Sequence, residues 1–168
     1  MTRWRKTVDK EGIAIVTGSF DPITRGHVEI VREATRRFDR VYVVALSNAE
    51  KQHLFSSLER KEMIRLATEG MPNVVADAYD GMTADYMHAN GITTIVRGVR
   101  NETDRTYETD LAARMKAFDP AFETVLIAAS GALADVSSTL VRERIREGKD
   151  VCDVVPDGVA SYIKTIRK

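Results

Sequence analysis

The sequence has no excess of charge, because its 168 residues include 25 lysines and arginines and 25 aspartates and glutamates. A chain without a net positive field has no general attraction for a nucleic-acid backbone, so we expect no nucleic-acid partner and only a local anion site. No apolar run approaches the ~20 residues that span a membrane, so we expect no membrane association. The single cysteine excludes an internal disulfide and favours a reducing compartment, so we expect a cytoplasmic protein.

The remaining composition is that of an ordinary globular protein, with 43% hydrophobic and 30% charged residues. A chain of this length suits one domain with one core. The N-terminal segment is basic but lacks the apolar stretch of a secretory signal. We therefore expect a flexible N-terminal arm over residues 1–12 and a single domain over residues 13–168.

Apolar runs alternate with helical patterns along this domain, which indicates βαβ units with right-handed crossovers. We predict an α/β fold, namely a doubly wound, five-stranded parallel sheet with a C-terminal helix. The strands are predicted at Ile13–Thr17, Val41–Leu46, Val74–Ala78, Thr93–Val96 and Thr124–Ala129. The helices are predicted to end near Phe38, Glu69, Asn90, Phe118, Gly148 and Ile166.

The loop that joins the first strand to the first helix is the most informative segment, with the sequence Thr17-Gly18-Ser19-Phe20-Asp21-Pro22-Ile23-Thr24-Arg25-Gly26-His27. Main-chain N–H groups in such a loop point into a cleft, and the helix N-terminus adds about half a positive charge, so both favour a phosphate. Gly18 has no Cβ and lets a ligand approach the main chain. His27 falls in the first helical turn, from which an imidazole can donate a hydrogen bond to a phosphoryl oxygen.

This loop resembles the [T/H]xGH signature of the nucleotidyltransferase superfamily. Thr24, rather than histidine, stands two residues before Gly26, and this version is similar to the phosphopantetheine adenylyltransferase family. The resemblance implies a Rossmann-like nucleotidyltransferase fold and transfer of the adenylyl group of ATP to 4′-phosphopantetheine. The products would be dephospho-coenzyme A and pyrophosphate, in a late step of coenzyme A biosynthesis. The resemblance also implies a homo-oligomer, a hexamer.

Two later segments supply cations near the ends of predicted strands. Lys51, together with Glu59-Arg60, is similar to the family's K-x-x-x-F-x-x-x-E-R pattern. The segment Arg97-Gly98-Val99-Arg100 resembles the family's R-G-[LV]-R, and guanidinium groups bind phosphate through two parallel hydrogen bonds. The resemblance implies that Arg97 contacts the phosphate of the acceptor and that Arg100 contacts ATP.

Two further segments extend the resemblance toward the C-terminus. Asp104 and Tyr107-Glu108 match the family's D-x-x-Y-E pattern, in which the glutamate contacts the nucleotide. Ser137-Ser138-Thr139, with Arg142, is similar to the superfamily's second signature, S-S-x-x-[VI]-[RK], at a predicted helix start. Serines there are common N-caps, and the hydroxyl and free N–H groups of that helix end would hold a triphosphate.

The resemblance implies three sets of site residues. The catalytic residues are His27, Lys51 and Arg100. The ATP-binding residues are Gly18, Ser19, Phe20, His27, Gly98, Val99, Arg100, Glu108, Ser137, Ser138 and Thr139. The acceptor-binding residues are Ser19, Lys51, Thr83, Arg97, Tyr107 and Leu111. We expect no metal ligand from the protein, because Mg²⁺ would arrive with ATP, bound mainly by phosphates and water.

Some positions depart from the family pattern. Thr17 replaces the usual proline, and Leu133-Ala134-Asp135 replaces an aromatic-Ser-aromatic segment beside the adenine. Arg114-Met115 stands where the family often has Met-Asn along the pantetheine arm, and we expect Arg114 to turn outward and pair with Asp110 or with an acidic residue of a neighbouring subunit.

Two alternative functions remain open at this point. One is an adenylyltransferase for another phosphorylated acceptor, such as nicotinate mononucleotide, although those enzymes usually carry histidine where Thr24 stands. The other is a paralogue that binds nucleotide without catalysing the reaction. Release of pyrophosphate that depends on the acceptor would separate the enzyme from the binding protein.

Overall fold

The computed structural model describes residues 12–47, 51–129 and 131–167. The expected N-terminal arm therefore lies outside the described residues, apart from Gly12. The N–H of Gly12 donates to the Asp39 carboxylate at 3.1 Å, just before the first strand begins. In the described part of the chain, no helix is both long and apolar enough to cross a membrane.

Five parallel strands form one sheet in the order β3-β2-β1-β4-β5. The chain winds outward from β1 to β3 and then crosses back to β4 and β5, so the switch point lies between β1 and β4. This arrangement confirms the predicted doubly wound sheet. The strands are β1 (Ile13–Gly18), β2 (Arg40–Leu46), β3 (Val74–Tyr79), β4 (Thr94–Val99) and β5 (Glu123–Ala128).

Helices cover both faces of the sheet. They are α1 (Arg25–Arg37), α2 (Ser57–Ala67), α3 (Thr83–Ala89), α4 (Glu102–Phe118), α5 (Ser138–Arg146) and α6 (Asp157–Ile166). The predicted C-terminal helix is thus confirmed as α6. A short 3₁₀ helix, Gly131–Asp135, lies between β5 and α5 and was not predicted from the sequence.

Alternation along the strands divides the core into two layers. Val16 and Val43 point into the larger layer, which contains apolar side chains from α1, α2, α5 and α6. Ile15 and Val44 point into the smaller layer, which is completed mainly by α3. Because both layers exclude water from the central strands, the carboxyl ends of these strands are held in fixed positions under the loops that follow them.

Strand β4 is longer than the sequence analysis predicted. Arg97 and Gly98, expected to follow the strand, pair within the sheet with Leu126 and Ile127 of β5. The apolar pattern ends at Val96, but a charged residue can continue a strand when its side chain finds partners, as Arg97 does below. The main chain of Arg97 and Gly98 is therefore held by the hydrogen bonds of the sheet.

The buried Arg60 side chain connects the loops that follow β1 and β2. Only 1% of Arg60 is exposed. Its guanidinium donates to the Ser19 carbonyl at 2.7 Å, to the Leu46 carbonyl at 2.9 Å and to the Ser47 hydroxyl at 2.7 Å. These acceptors are partly buried main-chain and side-chain groups of the protein itself, so Arg60 has a structural role in the K-x-x-x-F-x-x-x-E-R segment.

Gly26 allows α1 to begin directly against the segment that leads into α5. A Cβ at Gly26 would lie 2.9 Å from the Leu133 carbonyl oxygen, which belongs to the main chain and cannot rotate away. Gly158 occupies the same second position in α6, but a Cβ there would meet the Leu66 Cβ at an ordinary 3.6 Å.

We therefore expect Gly26→Ala to destabilise the protein by about 1–3 kcal/mol, the usual cost of overpacking. The matched variant Gly158→Ala should be neutral or stabilising by about 0.5–1 kcal/mol, because alanine is the better helix former. Urea unfolding curves of both variants provide the measurement. Equal stabilities for the two variants would contradict the close approach at Gly26.

Candidate active site

A cleft of about 430 Å³ opens above the carboxyl ends of β1 and β4, beside the switch point of the sheet. Ligands of doubly wound sheets bind at this place. The cleft brings together four of the segments that the sequence analysis singled out. The predicted site residues that line it are Gly18, Phe20, His27, Arg97, Gly98, Arg100, Tyr107, Glu108, Ser137 and Ser138.

The loop between β1 and α1 is fixed by the buried carboxylate of Asp21. This carboxylate accepts hydrogen bonds from the N–H groups of Leu54 at 2.8 Å and Phe55 at 2.9 Å. The main-chain carbonyl of Asp21 accepts a further bond from Arg142 at 2.8 Å. The loop is therefore joined to the segment before α2 and to α5.

Thr24 and His27 form a capping box at the start of α1. The Thr24 hydroxyl accepts from the His27 N–H at 3.4 Å, and His27 Nδ1 accepts from the Thr24 N–H at 3.1 Å. An Nδ1 atom that accepts a hydrogen bond carries no proton, so the proton of the neutral ring is on Nε2. In the described part of the chain no group accepts from Nε2, which leaves an N–H donor on a residue that lines the cleft.

The charge state of His27 follows from its surroundings. Burial, and then the charge of Arg100, lower the pKa of His27 to about 4. The ring is therefore neutral at pH 7 and can donate only through Nε2. The Phe20 and His27 rings pack in a T-shaped arrangement with their centroids 5.1 Å apart, which further limits the orientation of the imidazole.

Arg97 is held in the cleft by a bidentate ion pair with Glu108. Arg97 Nε and Nη2 donate to the two oxygens of the Glu108 carboxylate at 2.7 and 2.8 Å. Arg97 Nη1 donates to the carbonyl and to the hydroxyl of Thr17 at 3.1 and 3.2 Å. The hydroxyl contact depends on Thr17, where the related family usually has proline, so this chain holds Arg97 by a bond that proline cannot supply.

Arg100 forms a more exposed pair with Asp104. Its Nε donates to the Asp104 carboxylate at 2.9 Å, and its main-chain N–H donates to the same carboxylate at 3.2 Å. The Arg100 side chain is 47% exposed, against 23% for Arg97. Arg100 is therefore the more accessible of the two cations, and its charge acts on His27.

The start of α5 also lines the cleft, through Ser137 and Ser138. Ser137 is the N-cap and accepts from the Leu140 N–H at 3.2 Å. The Ser138 hydroxyl donates to the Pro22 carbonyl at 2.8 Å, so it joins α5 to the loop after β1. The first N–H groups of a helix have no acceptor within the helix, and this end of α5 presents such groups beside His27.

Six predicted site residues lie outside the lining of the cleft: Ser19, Lys51, Thr83, Val99, Leu111 and Thr139. Lys51 is exposed in the loop after β2, and its charge is one of the smaller causes that lower the pKa of His53. Thr83 begins α3, after β3, and Leu111 lies half-buried on α4.

Arg114 is exposed on α4 and makes no ion pair with any residue of the described ranges, so the pairing expected with Asp110 is absent there. Its outward position agrees with the expectation that its guanidinium does not occupy the cleft.

The roles of Thr24, Arg142 and Asp21 were not predicted from the sequence. The spacing of Thr24 and His27 matches a capping box, with histidine in place of the usual glutamate or glutamine, and this pattern could have indicated the orienting contact. Nothing comparable could have indicated the bond from Arg142 to Asp21, since 121 residues separate the two in the chain.

The hydrogen bond from Thr24 predicts the protonation state of His27 in solution. We expect nitrogen NMR to show a neutral ring with the proton on Nε2 from pH 8 down to pH 5, with a protonation midpoint near the value of about 4. The spectrum of His27→Gln assigns the signal. A proton on Nδ1 would contradict the capping contact, and a midpoint near the ordinary histidine value of ~6.5 would contradict the lowering of the pKa by burial and by Arg100.

Comparisons with known proteins agree with this geometry. The model of the cytidylyltransferase-like family matches residues 15–144. A phosphopantetheine adenylyltransferase from Lactiplantibacillus plantarum is 42% identical over 150 residues, which cover 89% of this chain and 92% of that protein. A solved structure from Vibrio parahaemolyticus, described as a nicotinate-nucleotide adenylyltransferase, superposes with a TM-score of 0.69 over 92% of this chain and 93% of its own. At 17% identity, that likeness shows the fold alone. The chain therefore belongs to the cytidylyltransferase-like family and, within it, to the phosphopantetheine adenylyltransferases.

Proposed function

We propose that this protein transfers the adenylyl group of ATP to 4′-phosphopantetheine and releases pyrophosphate. The observation that carries the proposal is the convergence of a neutral histidine donor, two arginines and a helix N-terminus on one cleft, in a member of this family. The product, dephospho-coenzyme A, assigns the reaction to coenzyme A biosynthesis.

The reaction needs no covalent intermediate with the protein. A phosphate oxygen of the acceptor attacks the α-phosphorus of ATP, a new P–O bond forms, and the bond to the pyrophosphate leaving group breaks with its electron pair. Catalysis then consists of positioning two anions and stabilising the charge that develops on the transferred phosphorus. His27 donates through Nε2–H to that group, and Arg100, which also lines the cleft, offsets its charge.

Several residues outside the cleft lining complete the proposal. Lys51 lies on a loop beside Asp21 and would bring its ammonium group to the reacting phosphates, and Ser19 would contact the same phosphates. Thr83 and Leu111 would contact the acceptor. Thr139, together with Ser137 and Ser138, would hold the triphosphate at the start of α5.

Mg²⁺ enters this proposal as part of the ATP substrate. Within the described ranges no group of three histidine, cysteine, aspartate or glutamate side chains could hold a metal ion. The two carboxylates in the cleft, Asp104 and Glu108, are already paired with arginines. We propose that the triphosphate and water supply the ligands of this ion. We also propose the homohexamer that the family resemblance implies, in the cytoplasm.

The proposed function is tested by pyrophosphate release from ATP with a set of phosphorylated acceptors. We expect turnover with 4′-phosphopantetheine and little with nicotinate mononucleotide or with no acceptor. If nicotinate mononucleotide were the preferred acceptor, the protein would still be an adenylyltransferase, but the proposed acceptor would be wrong. ATP binding without turnover on any acceptor would indicate a paralogue that only binds nucleotide.

His27→Ala should lower kcat by about a hundredfold or more, the scale for loss of one transition-state donor. The affinity for ATP should fall much less, because the other donors remain. Steady-state kinetics provide the measurement. The matched control is His88→Ala, since His88 pairs with Asp119 at 2.7 Å outside the cleft. Turnover of His27→Ala within about threefold of the control would exclude a role as transition-state donor.

Arg97→Lys should raise the KM for 4′-phosphopantetheine by about tenfold, because lysine keeps the charge but loses the planar fork that binds phosphate. Unphosphorylated pantetheine should be a poor acceptor for the same reason. The corresponding kcat/KM values measure both effects. Similar values for pantetheine and 4′-phosphopantetheine would overturn the assignment of Arg97 to the acceptor phosphate.

A further inference from the structure

The arginines of the cleft are already paired with acidic side chains of one helix. Glu108 and Asp104, four residues apart on α4, contact Arg97 and Arg100 respectively. Residues at this spacing lie on the same face of a helix, one turn apart. One face of α4 thus places two carboxylates on the two cations that phosphate ligands would use.

The donors of Arg97 are nearly all in use. A guanidinium group has five N–H donors, and Arg97 directs four of them to Glu108 and Thr17. A phosphate therefore cannot take the planar fork of Arg97 while the carboxylate of Glu108 remains there. The contacts to Thr17 involve the other side of the guanidinium and can persist through such an exchange.

The two ion pairs differ in how strongly they are held. The side chains of Arg97 and Glu108 are 23% and 10% exposed, whereas those of Arg100 and Asp104 are 47% and 27% exposed. Exposed ion pairs contribute little, while a bidentate pair shielded from water resists separation. A ligand that uses Arg100 meets weak competition, and a ligand that uses Arg97 must displace a strong competitor.

We infer that Glu108 occupies the place of the acceptor phosphate on Arg97 in the free protein and thereby determines which acceptors bind. The inference rests on the proposed function. A dianionic phosphate carries more charge than a carboxylate and can replace Glu108 at the fork, whereas a neutral or singly charged group cannot do so efficiently. Glu108 is thus a specificity-determining residue.

The exchange also affects the attachment of α4. Glu108 is the one fully buried residue of this 17-residue helix, so the ion pair is one of the contacts that join α4 to the sheet, beside the apolar packing of the half-buried Met115. When phosphate replaces the carboxylate, α4 loses this contact. Binding of the acceptor should therefore loosen the first turns of α4.

The test measures the affinity for inorganic phosphate and for 4′-phosphopantetheine by calorimetry, without nucleotide. Glu108→Gln keeps an acceptor for Arg97 but removes the competing charge, so both Kd values should fall about fivefold or more. The matched control is Glu102→Gln on the same helix, where the side chain is 90% exposed, and its Kd values should stay within twofold of wild type. In an Arg97→Gln background, Glu108→Gln should give no gain.

Unchanged or weaker binding by Glu108→Gln would overturn the inference, and so would a gain that persists without Arg97. Hydrogen exchange of the wild-type protein gives a second measurement that does not depend on the variant folding. Saturating 4′-phosphopantetheine should speed exchange in residues 102–110, and unchanged or slower exchange there would also overturn it. The phosphate experiment requires no turnover, so failure of the proposed function would be seen separately, in the pyrophosphate assay.

Discussion

The cleft depends on the fixed position of Asp21, whose side chain is 2% exposed. Its carboxylate accepts two main-chain N–H groups from the segment before α2, and its carbonyl accepts the guanidinium of Arg142. Loss of the carboxylate would leave both N–H groups buried without acceptors, at a cost of ~1–3 kcal/mol each. The loop after β1, the segment before α2 and helix α5 thus take their relative positions from one residue, and His27 takes its position from the loop after β1.

Charge in the cleft is balanced before any ligand binds. The sequence has equal numbers of cationic and anionic residues, and the structure repeats this balance locally, with Arg97 paired to Glu108 and Arg100 paired to Asp104. Pairing keeps both guanidinium groups oriented, so little order has to be created when an anion arrives. In return, an incoming anion has to displace a carboxylate, Glu108 or Asp104, from the guanidinium that it binds. A site with unpaired arginines would bind phosphate more tightly and discriminate less between anions.

The sequence predicted the features that depend on local patterns. Alternating apolar runs predicted the sheet and its helices, and the loop from Thr17 to His27 predicted where the cleft lies. The pairing of Arg97 with Glu108 could not be predicted, because it depends on how β4 extends and on how α4 returns across the sheet. The same holds for Arg60, whose three acceptors come from two separate segments of the chain, Ser19 in one and the adjacent Leu46 and Ser47 in the other.

The capping box at α1 gives His27 a structural role and a chemical role that depend on the same hydrogen bond. The imidazole satisfies a main-chain donor at the start of the helix through Nδ1, and by doing so it keeps a proton on Nε2. A substitution of Thr24 would therefore alter the contacts that decide which nitrogen of His27 carries the proton. A substitution of His27 would in turn weaken the start of α1. Selection for a stable first helix and selection for a competent hydrogen-bond donor act on the same pair of residues.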